Sequence, residues 1–293
     1  MRRCLHCQHT FSAPRHDMPC PSCGAVVAVM DNRPCFAPDL ARESPGFKAE
    51  HFAELAALED GHFWFRARNE LIIHALSTYF PQARNMLEIG CGTGYVLRGI
   101  SQHFPQLHMS GSEIFLEGLS FAARRAPAAD LFQMDAQHIP FINEFDVIGA
   151  FDVLEHITDD ERVLREIHHT LKPRGGALFT VPQHPSLWSA QDDHACHVRR
   201  YRRHELADKL HAAGFRIVFS TSFVSLLLPL LAASRWRKQR AGQNREMTGE
   251  FRLPAPLNVM LYGALRLEHR LIQSGLRFPI GGTRLVAAVK LDR

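Results

Sequence analysis

Two groupings in this 293-residue chain place reactive residue types at meaningful spacings. The first is a set of four cysteines, Cys4-x-x-Cys7 and Cys20-x-x-Cys23, with twelve residues between the pairs. Each pair can close a tight turn with both sulfurs facing one point. Two such turns make a tetrahedron of thiolates, the geometry of a structural zinc site. A segment of about thirty residues cannot bury a core of its own, so the metal would supply much of its folding energy. Disulfides or free thiols are the plain alternative, and disulfides suit a reducing compartment poorly. Cys35, Cys91 and Cys196 are scattered and read as ordinary small side chains.

The second grouping is MLEIGCGTGYVL, residues 86–97, with Gly90, Gly92 and Gly94 straight after an apolar run. Glycine weakens a strand end unless the backbone must turn sharply or approach something closely. The third glycine comes one residue earlier than in the dinucleotide fingerprint, which suits a ligand without a pyrophosphate. Glu88 precedes the loop and can face an ammonium group. Glu113 follows Gly94 by nineteen residues, where an acid can accept both ribose hydroxyls. Asp135 lies where a carboxylate reaches an adenine amino group.

The elements that must hold these residues read as alternating strands and helices. NMLEIG, LHMSGSE, ADLFQMDA, EFDVIGAF and GALFTVP are five short apolar strands. The fourth is nearly continuously apolar, as a strand covered on both faces should be. A helix opens at YVLRGISQHF behind the glycines, its free N–H groups aimed at a ligand. Thr158-x-x-Glu161 predicts a capping box for a helix carrying Val163, Leu164, Ile167 and Leu171 inward.

LEIGCGTG, Glu113, MDA at 134–136, FDVLEHI and LKPRGG occur in that order, and together they resemble a class I S-adenosylmethionine-dependent methyltransferase of the bacterial type 11/23 kind. The resemblance covers about residue 60 to the end. It implies an α/β, Rossmann-like fold: a seven-stranded, mostly parallel sheet closed by an antiparallel hairpin, FRIVFSTS (215–222) and TRLVAAVKL (283–291). It implies S-adenosylmethionine held by Gly90, Cys91, Gly92 and Gly94, with Glu88 near its amino group. Glu113 would hold the ribose, Asp135 and Ala136 the adenine, and Asp152 would sit beside the transferring methyl.

The acceptor side is less marked. HPSLWSAQDDHACHVRRYRRHEL, residues 184–206, holds His184, His194, His197, Trp188, Tyr201 and four arginines. Histidine near neutrality can act as a base; equally, these residues can tie down a loop. Asp152-x-x-Glu155-His156 with the later His197 resembles the acid-x-x-Glu-His pattern of metal-dependent O-methyltransferases, with Asp152 in place of the first glutamate. That resemblance implies a divalent ion such as Mg²⁺ against a hydroxyl acceptor. The expected catalytic residues are therefore Asp152, His156 and His197. EDGHFWFRARNELI at 59–72 would fold over cofactor and acceptor or simply pack.

The organisation follows as a zinc ribbon at 1–30, a Pro-rich linker at 31–59, and a methyltransferase domain at 60–293 with a helical insertion at 223–282. In the insertion, Leu257, Met260, Leu261, Ala264, Leu265, Leu271 and Ile272 fall along one helical face, as a lid or an extra core layer would need. The run FVSLLLPLLAA at 223–233 is too short to span a bilayer and contains Pro229, but its basic edge through residue 240 suits peripheral membrane contact. No apolar leader follows Arg2 and Arg3, so the chain reads as cytoplasmic. A net charge of +4 is not the footprint of a dedicated nucleic-acid binder.

The leading expectation is an enzyme acting on a small-molecule acceptor, lipid- or glycan-linked ones included. The alternatives are an RNA methyltransferase whose ribbon and Arg199, Arg200, Arg202 and Arg203 meet RNA, and a non-catalytic cofactor-binding partner. The first alternative lacks the Asn/Asp-Pro-Pro-Tyr motif of exocyclic-amine methylation after strand four, where this chain reads FDVLEH.

Overall fold

The computed structural model describes residues 1–13, 16, 18–42, 51–240 and 253–291, without the side chains of 236–240. At the N-terminus, β1 (Arg2–Arg3) pairs antiparallel with β2 (Thr10–Phe11). β3 (Ala28–Met30) and β4 (Arg33–Cys35) form a hairpin with Met30 opposite Arg33. Its two-residue loop, Asp31 and Asn32, has φ of 49° and 59°. Asp and Asn tolerate this left-handed region, and such a turn matches the twist of the flanking strands.

Two helices follow, α1 (His51–Leu58) and α2 (Phe63–Tyr79). The alternating units are β5 (Asn85–Ile89), α3 (Tyr95–His103), β6 (His108–Glu113), α4 (Leu116–Arg125), β7 (Asp130–Gln133), β8 (Phe145–Phe151), α5 (Asp160–Thr170) and β9 (Leu171–Pro182). After α6 (Ala190–His194) and α7 (Glu205–Ala212) come β10 (Phe215–Phe223), α8 (Leu228–Arg240), α9 (Ala255–Gln273) and β11 (Thr283–Lys290).

Strand order is β10-β11-β9-β8-β5-β6-β7-β4-β3. The first seven are the expected sheet, with β11 antiparallel to both neighbours and the others parallel. The last two are an addition. β4 runs parallel to β7, with Cys35 opposite Gln133, so part of the segment expected to be a linker is a strand of the sheet. Pro34 lies opposite Val29 of β3, and β4 meets β7 through Cys35, so the ladder to β7 does not need the N–H that Pro34 lacks.

Apolar side chains fill both faces. One cluster joins Ile89, Phe132, Ile148 and Phe179 to Val163, Leu164 and Ile167 of α5 and Leu206 and Leu210 of α7. The other joins Met86, Val147 and Leu178 to Leu71 and Ile72 of α2, Leu97 and Ile100 of α3, and Leu265 and Ile272 of α9. The cap of α5 is Asp159, whose side chain accepts from Arg162 N, in place of the expected Thr158. In α9, Leu261, Leu265, Glu268 and Ile272 face inward, whereas Met260 is 62% exposed. α9 is stapled to the start of α2: Asn258 accepts from Phe63 N at 2.9 Å and donates to Gly61 O at 2.9 Å. Among the described residues no helix is long and apolar enough to cross a membrane.

Candidate active site

A cavity of about 540 Å³ opens beyond the carboxyl ends of β5 to β8, where open α/β sheets bind ligands. Gly90, Gly92, Glu113, Asp135, Ala136, Asp152 and His156 all line it. The glycine turn is needed for geometric reasons. Gly90 has φ +65°, and a Cβ there would lie 2.5 Å from Val153 Cγ2. Gly94 has φ +77°, and its Cβ would lie 2.6 Å from Ala122 Cα. Cys91 does not line the cavity; it is buried beneath the loop against Leu116, Leu119 and Ala122.

Three carboxylates surround the loop. Glu113 accepts from Gly92 N at 3.1 Å, Ile114 N at 2.7 Å and Phe115 N at 3.3 Å. Burial still pushes its carboxyl upward against those three donors. Asp135 accepts from Gln137 N at 2.9 Å and meets His138 Nδ1 at 2.8 Å. Glu88 is fully buried, and burial raises it to about 8, with Arg68 opposing and Glu59 and Glu113 reinforcing. Its Oε2 has no hydrogen-bond partner among the described residues. A buried, orphaned carboxylate oxygen calls for a donor, and the ammonium of a methionine-like ligand is one. The set therefore fits S-adenosylmethionine: an acid for the ammonium, an acid for the ribose, an acid for the adenine, and a main-chain cradle between them.

At the other end, Asp152 has φ 57° and forms an ion pair with Arg68 of α2. Arg68 also lies 4.6 Å above the Trp64 ring. Glu155 is fully buried next to them, and neither of its oxygens has a hydrogen-bond partner among the described residues. Burial first, then Asp152, drives its carboxyl well above the usual range. Burial lowers His156 to about 3, assisted by His197, which keeps the imidazole neutral. The two rings stand 4.7 Å apart at 81°.

His197 is positioned by a residue that the motifs did not single out. Its Nδ1 lies 2.8 Å from Asp192, which also takes Arg200 Nε at 2.7 Å. A carboxylate only accepts, so Nδ1 carries a proton and Nε2 is the ring nitrogen left to face other groups. Asp192 is buried and lowered to about 2; its hydrogen bond from His197 and the Arg200 charge outweigh desolvation. Ser189 and Asp192 close a capping box on α6, a signal visible as Ser-x-x-Asp. Arg68 had no comparable signal, because nothing in its local sequence points at Asp152, eighty-four residues away.

The structure places Asp152, His156 and His197 near one another, together with Glu155 of the same pattern, and brings Arg68 and Asp192 to them. It separates the arginines: Arg199 pairs with Asp160 at 2.8 Å and Arg200 with Asp192, so both serve internal carboxylates. Tyr201 is buried and donates to Asp160 at 2.5 Å. Among the described residues, neither α8 nor α9 contributes to the cavity.

Two candidate metal clusters stand out among the described residues. Ligand atoms of Glu155, His156 and His197 lie within 4.8 Å of one another. In the four-cysteine cluster, Cys4–Cys23 and Cys7–Cys20 sulfurs are each 3.7 Å apart. Sulfurs about 2.3 Å from a tetrahedral zinc stand about 3.8 Å from each other, whereas a disulfide holds them at about 2.05 Å. The cysteines fit zinc.

The profile of the family described as a methyltransferase domain matches residues 61–219, more than half of the chain. The chain belongs to this family. A probable S-adenosylmethionine-dependent methyltransferase of Mycolicibacterium smegmatis is 25% identical over 169 residues, 56% of this chain and 63% of that protein. A malonyl-[acyl-carrier protein] O-methyltransferase of Halorhodospira halophila is 24% identical over 184 residues, 59% of this chain and 60% of that protein. The matches therefore span about 60% of the length of these relatives. The solved structure of a putative sarcosine dimethylglycine methyltransferase from Galdieria sulphuraria superposes with a TM-score of 0.57 at 16% identity, covering 83% of this chain and 98% of that one. That likeness supports the α/β methyltransferase fold.

Proposed function

We propose that the protein is an enzyme that transfers a methyl group from S-adenosylmethionine to a small-molecule acceptor and releases S-adenosylhomocysteine. The observation that carries this is one cavity lined by the glycine turn, Glu113 and Asp135 at one end and by Asp152 and His156 at the other, with the orphaned Glu88 carboxylate buried just before the turn. When bound, the sulfonium supplies an electrophilic methyl carbon open to in-line attack. The chain's own residues do the rest. Glu88 takes the ammonium, Glu113 the ribose hydroxyls, and Asp135 with Ala136 the adenine. Arg68 and Asp152 fix the floor on which the acceptor sits. The imidazole of His197, oriented by Asp192 and standing beside His156, accepts the acceptor's proton as attack proceeds.

The relative named for malonyl-[acyl-carrier protein] supports an oxygen acceptor. A divalent ion at Glu155, His156 and His197 would lower the pKa of a hydroxyl acceptor. One carboxylate and two imidazoles suit a transition ion better than Mg²⁺, which prefers oxygen donors. A lipid-linked acceptor is supported by apolar side chains left in solvent on the insertion, Leu230 at 55%, Val259 at 66% and Met260 at 62%.

The test is calorimetric titration with S-adenosylhomocysteine, followed by methyl-labelled S-adenosylmethionine with extract fractions. Micromolar binding and label in small or solvent-extractable products are expected. Ribonuclease-sensitive label would sink the small-molecule reading.

A further inference from the structure

The four-cysteine module and the donor cavity are joined by a continuous run of contacts. The ribbon docks through its first residues: Arg3 N donates to Pro140 O at 2.6 Å, Ile142 N to Met1 O at 2.9 Å, and Arg3 pairs with Glu166. The surface it meets, residues 139–144, directly follows the Asp135–Ala136 corner. His16 and Phe36 pack with Phe132 and Phe141, with ring centroids between 5.2 and 5.9 Å apart. The hairpin β3–β4 then covers the edge of β7, and its Cys35, Ala28 and Met30 pack with Cys91 of the glycine turn and Leu116 and Leu119 of α4.

One side chain closes the circuit. Gln133, fully buried, accepts from Ala37 N at 3.0 Å and donates to Ala37 O at 2.8 Å and Ile114 O at 3.0 Å. Its own carbonyl receives Phe36 N at 2.9 Å. Ile114 is the residue after Glu113, and a few residues on from Ala37, Leu40 lines the cavity itself while Ala41 O receives Leu116 N at 3.1 Å. The wall on which Glu113 stands is therefore tied to the hairpin, and the hairpin to the ribbon.

These strands cannot hold themselves. β1 and β2 are two residues each, and β3 and β4 three. Isolated hairpins are marginal in water even when longer. At the far end of the run the sulfurs of Cys4, Cys7, Cys20 and Cys23 lie within 4.8 Å of one another, where a bound metal would fix it.

We propose that metal loading of the four-cysteine ribbon sets the affinity of the cavity for S-adenosylmethionine, with Gln133 as the positioning residue that transmits it. The proposal rests on the reading of the cavity as the S-adenosylmethionine site. With the ribbon metallated, the hairpin stays on β7, and Gln133 holds both Leu40 and the Ile114 carbonyl in place. With the metal gone, the hairpin can leave the edge. Gln133 then loses its Ala37 partners, and the wall beside Glu113 loosens. Coupling of two binding sites is reciprocal, so the donor product must tighten metal retention by the same factor.

The experiment uses the full, zinc-loaded chain and S-adenosylhomocysteine as the probe. Zinc is withdrawn with increasing chelator and followed with a colorimetric indicator, with and without saturating probe. The chelator concentration for half-removal is expected to rise tenfold or more with the probe. A shift under twofold overturns the coupling. Far-UV circular dichroism is followed in parallel. The zinc-free chain is expected to keep most of its signal, and collapse of the spectrum would overturn the local route in favour of global unfolding. Gln133→Ala is expected to keep its zinc, to bind the probe at least tenfold more weakly, and to raise KM for the donor with kcat unchanged. Unaltered affinity with zinc in place overturns the role of Gln133, and the wild-type chelator titration stands if this variant does not fold. Failure of the zinc-loaded wild type to bind the probe at all removes the cavity reading and the proposal together, whereas binding indifferent to zinc removes only the proposal.

Discussion

The two ends of the cavity are built by opposite means. The donor end is mostly main chain: a glycine turn of five residues, its N–H groups, and acids at successive strand ends. The acceptor end is side chains from four separate places, Arg68, Asp152 with Glu155 and His156, Asp192, and His197 with Arg200, held by mutual charge. Main-chain construction leaves no room for a Cβ at Gly90 or Gly94 and little for compromise. Side-chain construction spreads its cost over a network, in which one partner can be weakened without emptying the site.

The largest effect should therefore come from the smallest substitution at the donor end. Gly94→Ala places a methyl 2.6 Å from the backbone Cα of Ala122 in a left-handed turn. Strain of ~1–3 kcal/mol from the backbone and a similar amount from overpacking are expected together. S-adenosylhomocysteine affinity should fall about a hundredfold or more, with a lower melting temperature. Affinity within threefold of wild type would break the contrast between the two ends.

The next effect belongs to the acceptor end and should separate binding from chemistry. Asp192→Asn keeps the shape and removes the charge between His197 and Arg200. An amide presents its NH₂ as readily as its oxygen, so His197 loses its fixed tautomer. A drop in kcat of about ten- to a hundredfold is expected, roughly 1.4 to 2.7 kcal/mol of barrier, with donor affinity unchanged. Equal losses in kcat and in donor affinity would show that Asp192 merely supports the fold.

The same division decides how much the sequence disclosed. The donor end was legible because its parts are contiguous: a turn forces glycine at fixed intervals, and each acid sits at a strand end that the hydrophobic pattern marks. The central sheet followed from the same alternation. The acceptor end was half legible. His156 and His197 were visible as residue types, but Arg68 and Asp192 matter through partners that only folding brings near. The hairpin at 28–35 was hidden for another reason. Its prolines suggested a linker, while Asp31-Asn32, a turn dipeptide that tolerates φ above zero, carried the opposite signal and fits the observed register. The helix at 255–273 had a readable period, but its inward face is shifted, because Glu268 is buried to hold the Ser225 and Leu226 N–H groups at 2.9 Å.

The milder of the two changes at the donor end is also its more specific probe, and it concerns a proton. Glu88 lies at about 8 in the ligand-free chain, above its ordinary value of 4.5, chiefly because it is buried. An unfolded chain loses this proton near pH 4.5 and the folded one keeps it to about pH 8. Its contribution to stability is thus fully present below pH 4.5 and declines as the pH climbs through that window, so the ligand-free protein should soften between the two values. An ammonium brought against Glu88 favours the ionised form. Binding of S-adenosylhomocysteine at pH 7 should then release up to one proton, seen as a dependence of the calorimetric heat on the ionisation enthalpy of the buffer. The release should fade above about pH 9, where Glu88 is already ionised before binding. Glu88→Gln should abolish the buffer dependence while lowering affinity by no more than about tenfold, since an amide oxygen still accepts from the ammonium. Were the proton release to persist in that variant, the ammonium would face some other acid, and Glu113, also raised by burial, would be the group to replace next.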